Sequence, residues 1–338
     1  MTERRLELYR HLRRIRLLDE RLVQLQRQGR VAFHGSVAGQ EAAPVAAGLA
    51  LRPTDWIFPA LRESYAMLVR GYPLERYIAQ DFGSSLDVAK GRQMPSHQAA
   101  RAVNVVSWSS CIATQLPQAV GMALAAKKQG RPDIALAFLG DGATSHPDFH
   151  AALNMAGVFA APCVFVCQNN QFAISVPVER QSGNPLLFEK AAAYGIPGER
   201  VDGNDAELLL ETFARAAERA RDGAGPSFIE CLTYRVGPHS SSDDPSRYRD
   251  EALTQRWLER DPVALVRARV LDSGLLDEAA EATLERELAD ELDQAIAKVE
   301  QAPPPDVTTL FDDVYERKPR HLVEQAQELA TQRAQNSR

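Results

Sequence analysis

Leu139-Gly140-Asp141-Gly142-Ala143-Thr144-Ser145 follows the apolar, β-rich run Ile134 to Leu139 and precedes a predicted helix from Asp148 to Phe159. Twenty-six residues after Gly142, Gln168-Asn169-Asn170 closes the next apolar run, Pro162 to Cys167. Buried strands separated by helices read as a parallel α/β sheet, and in such sheets ligands bind beyond the carboxyl ends of the strands. Gly140 and Gly142 let the backbone approach an anion closely and offer N–H donors at a helix start. Asp141 would repel a phosphate unless a cation lay between them. Mg²⁺ takes oxygen ligands and is often shared by one or two protein groups and the phosphates of a ligand. Asn170 has an amide oxygen to add, and the Phe172 carbonyl, two residues on, can face the same way. Gly-Asp-Gly or Asn-Asn alone is ordinary turn composition; the pair at this spacing, at the ends of successive strands, points to a magnesium diphosphate site. A dinucleotide fingerprint fits poorly, because the glycine spacing differs and an Asp sits inside the loop.

Outward from this core, further strands are predicted at Val103–Trp108 and Ser227–Thr233, and further helices at 113–129 and 205–221. The fold class is α/β, with a doubly wound, mostly parallel sheet. Toward the amino terminus, Leu8, Leu12, Ile15, Leu18, Leu22 and Leu25 recur at steps of three and four, an amphipathic helix ended by Gly29. Helices are also predicted at 41–49, 63–69 and 73–82, with 83–105 mostly irregular. Beyond Asp250 only helical periodicity remains, at 253–271 and 278–299, before Pro303-Pro304-Pro305 and two short helical pieces. The expected division is one domain over residues 1–300 and a helical tail over 301–338.

The 338 residues carry 39 Lys and Arg against 45 Asp and Glu, a net charge of −6, which argues against a nucleic-acid partner. No run reaches the roughly 18 consecutive apolar residues of a membrane span. The charged amino terminus fits neither a secretory nor a transit peptide. The four cysteines make no disulfide scaffold. Cys163 and Cys167 read as members of a buried strand, and a cytoplasmic location is expected.

The Gly-Asp-Gly block, its spacer and Asn-Asn form the thiamin diphosphate signature. The chain resembles the α subunit of the E1 component of 2-oxo acid dehydrogenase complexes over nearly its whole length. The resemblance also runs through Gly39-Gln40-Glu41-Ala42, Arg62-Glu63, Gly91-Arg92-Gln93-Met94-Pro95, the stretch Thr114 to Gly121, Asn169 to Ser175 and Gly237 to Tyr248. It implies that Asp141, Asn170 and the Phe172 carbonyl bind Mg²⁺, and that Gly140, Gly142 and Ala143 border the diphosphate. Arg62 and Arg235 match arginines that grip the diphosphate. Ile112 matches an aliphatic wedge beneath the bent cofactor, and Ser110 a contact of the aminopyrimidine region. His239 matches the catalytic histidine beside thiazolium and substrate. Read from the residues alone, Arg62 and Arg235 could form surface ion pairs, Ile112 would be core, and His239 sits in a mobile loop with an imidazole that titrates near working pH.

The resemblance also implies thiamin diphosphate and Mg²⁺ as cofactors and an E1 β subunit in an α2β2 assembly that supplies a missing carboxylate. The lipoyl domain of E2 would be the acyl acceptor and a 2-oxo acid the substrate, pyruvate favoured over 3-methyl-2-oxobutanoate. A non-catalytic cofactor-binding scaffold and an NAD-binding oxidoreductase are the readings of other classes. The chain departs from the family pattern at Leu61, where Tyr is common, at His146-Pro147, and at Gln168, where some relatives have Arg. His146 reads as a helix-capping residue.

Overall fold

The computed structural model describes residues 2–336. Five strands form a wholly parallel sheet in the order β1-β2-β3-β7-β6: β1 (Trp56–Phe58), β2 (Ala135–Gly140), β3 (Cys163–Asn169), β6 (Gly198–Asp202) and β7 (Ser227–Leu232). A small antiparallel hairpin, β4 (Phe172–Ala173) and β5 (Val176–Pro177), lies just beyond β3.

Alternation along the strands divides the core in two. Leu136, Phe138, Val164, Val166 and Ile229 join the face covered by α1 (Thr2–Arg27), α2 (Ala42–Ala50), α3 (Ala66–Val69), α4 (Leu74–Phe82) and α7 (Ala206–Arg221). Ala135, Ala137, Leu139, Cys163, Phe165 and Cys167 join the other, covered by α5 (Gln115–Lys128) and α6 (Pro147–Phe159). The sheet is thus doubly wound. β2 and most of β3 are apolar because both faces are buried; the polar residues Gln168 and Asn169 come at the carboxyl end of β3. Cys163, Cys167 and Cys231 are buried thiols, and Cys111 is exposed; all four are free.

Several predicted elements differ. Val103–Trp108 is no strand: Arg101–Val103 is a 3₁₀ turn, and Val105 makes only isolated bridges to Ile57 and Ala100. The strand at that edge is β1, whose three residues are too few to show a period. The stretch 253–271 is two helices, α8 (Glu251–Leu258) and α9 (Pro262–Asp272). Pro262 is the first residue of the second, where its missing N–H costs no helical bond, and Asp261 caps that helix through the N–H groups of Val263 and Ala264, each at 3.0 Å. Then α10 (Glu278–Gln301) packs Leu284, Leu288, Leu292 and Ile296 against the core. Beyond the prolines lie a 3₁₀ turn, Val307–Phe311, and α11 (Arg320–Asn336), a helix of 17 residues, longer than expected. Among the described residues no helix is long and apolar enough to cross a membrane.

Candidate functional site

The carboxyl ends of four strands converge on one cavity of about 370 Å³. After β1 come Ala60, Leu61 and Arg62; after β2, Asp141 to Ala143; after β3, Asn170 and Phe172 to Ile174; after β7, Arg235 and His239. The loop before α5 adds Ser110 and Ile112. All of the sequence-predicted site residues (Arg62, Ser110, Ile112, Gly140, Asp141, Gly142, Ala143, Asn170, Phe172, Arg235 and His239) line this cavity.

Gly140 to Ala143 turn tightly. Asp141–Ser145 is a 3₁₀ turn, closed by the Thr144 hydroxyl donating to the Asp141 carbonyl at 2.8 Å. Gly140 therefore closes β2 and Gly142 belongs to this turn, so that, contrary to expectation, neither amide sits at the start of the following helix. That helix, α6, has its own cap, His146, whose Nδ1 accepts from Asp148 N–H at 3.2 Å; the capping role read from the sequence holds. Gly142 is required sterically: a Cβ there would lie 2.6 Å from the Ala173 Cβ. Asp141 is buried, its carboxyl pushed up by that burial, and its Oδ2 accepts from Gln181 Nε2 at 2.9 Å.

Asn170 Oδ1 accepts from Phe172 N–H at 3.2 Å, while its amide donates to Gln40 Oε1 at 3.2 Å. The Phe172 carbonyl accepts from Arg235 Nη1 at 3.4 Å, and Arg235 Nη2 donates to the Ile174 carbonyl at 2.7 Å and the Tyr248 hydroxyl at 2.9 Å. Ile174 holds its carbonyl there from a left-handed backbone, φ +56°, which a β-branched residue rarely adopts.

Arg62 and Arg235 are buried, which overturns the surface ion-pair reading. Arg62 donates through Nε to the Ser36 carbonyl and through Nη2 to the His239 carbonyl, both at 2.7 Å. Burial, with Arg235 nearby, lowers the Arg62 guanidinium to about 10. Arg235 is lowered as well, chiefly by burial, and its buried Nε has no partner. Burial and then the two arginines bring His239 down to about 4, so its ring is neutral at pH 7 and does not titrate near working pH as its loop composition suggested. Its Nδ1 is buried without a partner. The loop itself is tied by Asp243, which accepts from His239 N–H at 2.7 Å and from the Tyr248 hydroxyl at 2.5 Å. Ile112 is no core residue: it is 54% exposed, at the cavity.

A buried carboxylate on α1 organises this side. Asp19 accepts from the Ser36 hydroxyl at 2.6 Å, His34 Nε2 at 2.8 Å, Val37 N–H at 2.9 Å and the Tyr65 hydroxyl at 3.3 Å. Burial alone would raise its carboxyl, but the hydrogen bonds from His34, Ser36 and Val37 outweigh that and hold it below the usual range. Ser36 in turn presents its carbonyl to Arg62, and the His34 carbonyl accepts from Ser241 N–H at 3.1 Å.

Sequence reasoning assigned no role to Gln40, Glu63, Trp108, Gln168 or Gln181. Gln40 and Glu63 stand inside quoted motif blocks, and Gln168 precedes Asn-Asn. Gln181 reaches Asp141 only because the hairpin folds it back, which no pattern signals. Glu63 accepts from Gln168 Nε2 and, at 3.0 Å, from Ala60 N–H.

Among the described residues no three His, Cys, Asp or Glu side chains converge as a metal cluster. The donors at hand are hard oxygens, from one carboxylate, one amide and one carbonyl, a set suited to Mg²⁺ when phosphates complete its shell. Two buried guanidiniums without a carboxylate partner, one with an unpartnered Nε, suit an anion of diphosphate kind. The residues present fit such a group.

The model of the dehydrogenase E1 component family matches residues 9–308. The chain is 41% identical over 319 residues to 2-oxoisovalerate dehydrogenase subunit alpha 1, mitochondrial, of Arabidopsis thaliana, covering 94% of this chain and 68% of that one. It is 40% identical over 320 residues to the pyruvate dehydrogenase E1 component subunit alpha of Bacillus subtilis, covering 94% and 84%. It is 43% identical over 300 residues to the 3-methyl-2-oxobutanoate dehydrogenase subunit alpha of Mycobacterium tuberculosis, covering 89% and 79%.

Proposed function

The chain belongs to the dehydrogenase E1 component family, and on that premise we propose that it is the α subunit of a 2-oxo acid dehydrogenase E1, working with a β subunit in an α2β2 assembly. One observation carries the reading: a single cavity at the carboxyl edge of the sheet gathers two buried guanidiniums without a carboxylate partner, an imidazole nitrogen without a partner and an oxygen donor set.

When bound, thiamin diphosphate supplies the electron sink for decarboxylating a 2-oxo acid. Asp141, Asn170 and the Phe172 carbonyl would hold Mg²⁺. Gly140, Gly142 and Ala143 border the diphosphate, whose oxygens Arg62 and Arg235 bind. Ile112 would support the cofactor rings, and Ser110 would contact the aminopyrimidine region. His239, with Nδ1 free, moves a proton as the acyl group passes to the lipoyl domain of E2. The cavity's own carboxylates are Asp141 and Glu63, both buried and hydrogen-bonded within the chain. Neither is free for the aminopyrimidine nitrogen, which supports a carboxylate from the β subunit.

Relatives named for pyruvate and for 3-methyl-2-oxobutanoate match about equally well, so turnover of these two acids by the α/β complex is the measurement that assigns the acyl group. The cofactor reading is tested by calorimetric titration of thiamin diphosphate with and without Mg²⁺. Asp141→Ala is expected to abolish the magnesium-dependent part of binding, because it removes the one carboxylate of the donor set. Unchanged affinity in that variant refutes the metal role.

A further inference from the structure

The block Gly91-Arg92-Gln93-Met94-Pro95 contributes nothing to the site as described, yet it leads into a buttress behind the cavity wall. Two residues of α4 fix the segment. Gln80 Nε2 donates to the Met94 carbonyl at 2.6 Å, and Gln80 Oε1 accepts from His97 N–H at 3.0 Å. Asp81 accepts from Ser96 N–H at 2.7 Å. His97 is thereby buried with its ring stacked on Trp108, the centroids 3.9 Å apart and the planes at 18°. Trp108 lines the cavity and donates its indole N–H to the Ser96 carbonyl. Both ring nitrogens of His97 are engaged: Nδ1 lies 3.0 Å from the Pro95 carbonyl oxygen, and Nε2 lies 2.8 Å from Ser110 Oγ.

A carbonyl oxygen can only accept, so Nδ1 carries a proton, and in the singly protonated imidazole Nε2 is then the acceptor. The Ser110 hydroxyl donates to it, leaving the lone pairs of Oγ for the cavity. We propose that His97 is a positioning residue that fixes Ser110 as a hydrogen-bond acceptor, so that this point of the cavity selects an N–H or O–H donor on the ligand. The inference rests on the reading of Ser110 as a contact of the aminopyrimidine region, whose exocyclic amino group is such a donor.

The test is calorimetric titration of thiamin diphosphate into the α/β assembly carrying wild-type chain, His97→Phe, Ser110→Ala, the double variant or His97→Gln. Phenylalanine keeps a flat ring against Trp108 and removes both nitrogens; glutamine restores an oxygen that can accept from Ser110. His97→Phe and Ser110→Ala are each expected to weaken binding by up to about tenfold, the worth of one neutral hydrogen bond. The double variant should be no weaker than Ser110→Ala, because both changes break one chain of bonds, and His97→Gln should recover most of the loss. Oxythiamin diphosphate, with oxygen in place of the amino group, should bind wild-type and Ser110→Ala assemblies alike. Losses that add, or wild-type affinity in His97→Phe beside a weakened Ser110→Ala, overturn the positioning role. Wild-type affinity in Ser110→Ala overturns the underlying reading of Ser110 and the inference with it. Should His97→Phe fail to fold, ¹⁵N NMR of the imidazole-labelled chain reads the tautomer directly: Nδ1 protonated supports the proposal, and Nε2 protonated overturns it.

Discussion

His239 shows how far a residue's surroundings reset its chemistry. Burial beside Arg62 and Arg235 lowers it to about 4 from an ordinary 6.5. The unfolded chain therefore binds this proton as pH falls below about 6.5, while the folded chain resists until about 4. The histidine's contribution to stability is full above that window and is lost as pH falls through it. Arg62→Gln removes one positive neighbour, so the His239 pKa should move up from about 4, as followed by ¹H NMR of its ring proton; an unmoved midpoint would show that Arg62 has no part in setting it. His239→Ala, in the assembled complex, should slow lipoyl acylation by a factor on the order of 10² to 10⁴, the usual worth of a positioned acid or base. Normal acylation in that variant would remove His239 from the reaction. At this scale the residues around Asp141 and Asn170 were legible, because two polar loops ending adjacent strands meet in space. The electrostatics were not: the loop around His239 reads as open and polar, and only the fold places two guanidiniums beside its ring.

Among the elements, legibility followed length and burial. α1, β2, β3, α7 and α10 were found within a few residues, since long amphipathic repeats and apolar runs are strong signals. β6 was missed because it is a polar edge strand, Gly-Glu-Arg-Val-Asp, with none of its residues fully buried. β1 was missed for its brevity, and a false strand was assigned beside it where β-branched residues pack without a ladder. α6 offers a direct check on packing. A Cβ on Gly157 would meet the Tyr194 carbonyl oxygen at 2.3 Å. By helix propensity alone, Gly157→Ala should stabilise by about 1 kcal/mol. The clash reverses the sign, so the variant should be less stable by about 1–3 kcal/mol, visible as a lower midpoint in urea. A raised midpoint would mean that α6 and the Leu187–Tyr194 turn part easily.

At the scale of the whole molecule, apolar side chains remain exposed at the cavity wall. Ile112, Ile174 and Val176 stand exposed, the first two on the cavity wall, and the cavity's own carboxylates are engaged within the chain. Purified chain without a β subunit should therefore fail to decarboxylate any 2-oxo acid at an appreciable rate, as measured by CO₂ release, and activity should appear on adding the partner. Full turnover by the lone chain would show that the site is complete in itself. Asp19 adds a different consequence. It belongs to the first helix, far in sequence from the Gly-Asp-Gly turn, yet it fastens Ser36, and Ser36 fastens Arg62. A version trimmed of the first helix would keep the visible motif and lose the anchor of an arginine that lines the same cavity. Searches or designs that treat the motif as a portable cassette would carry away the wrong piece, because the site extends back to residue 19.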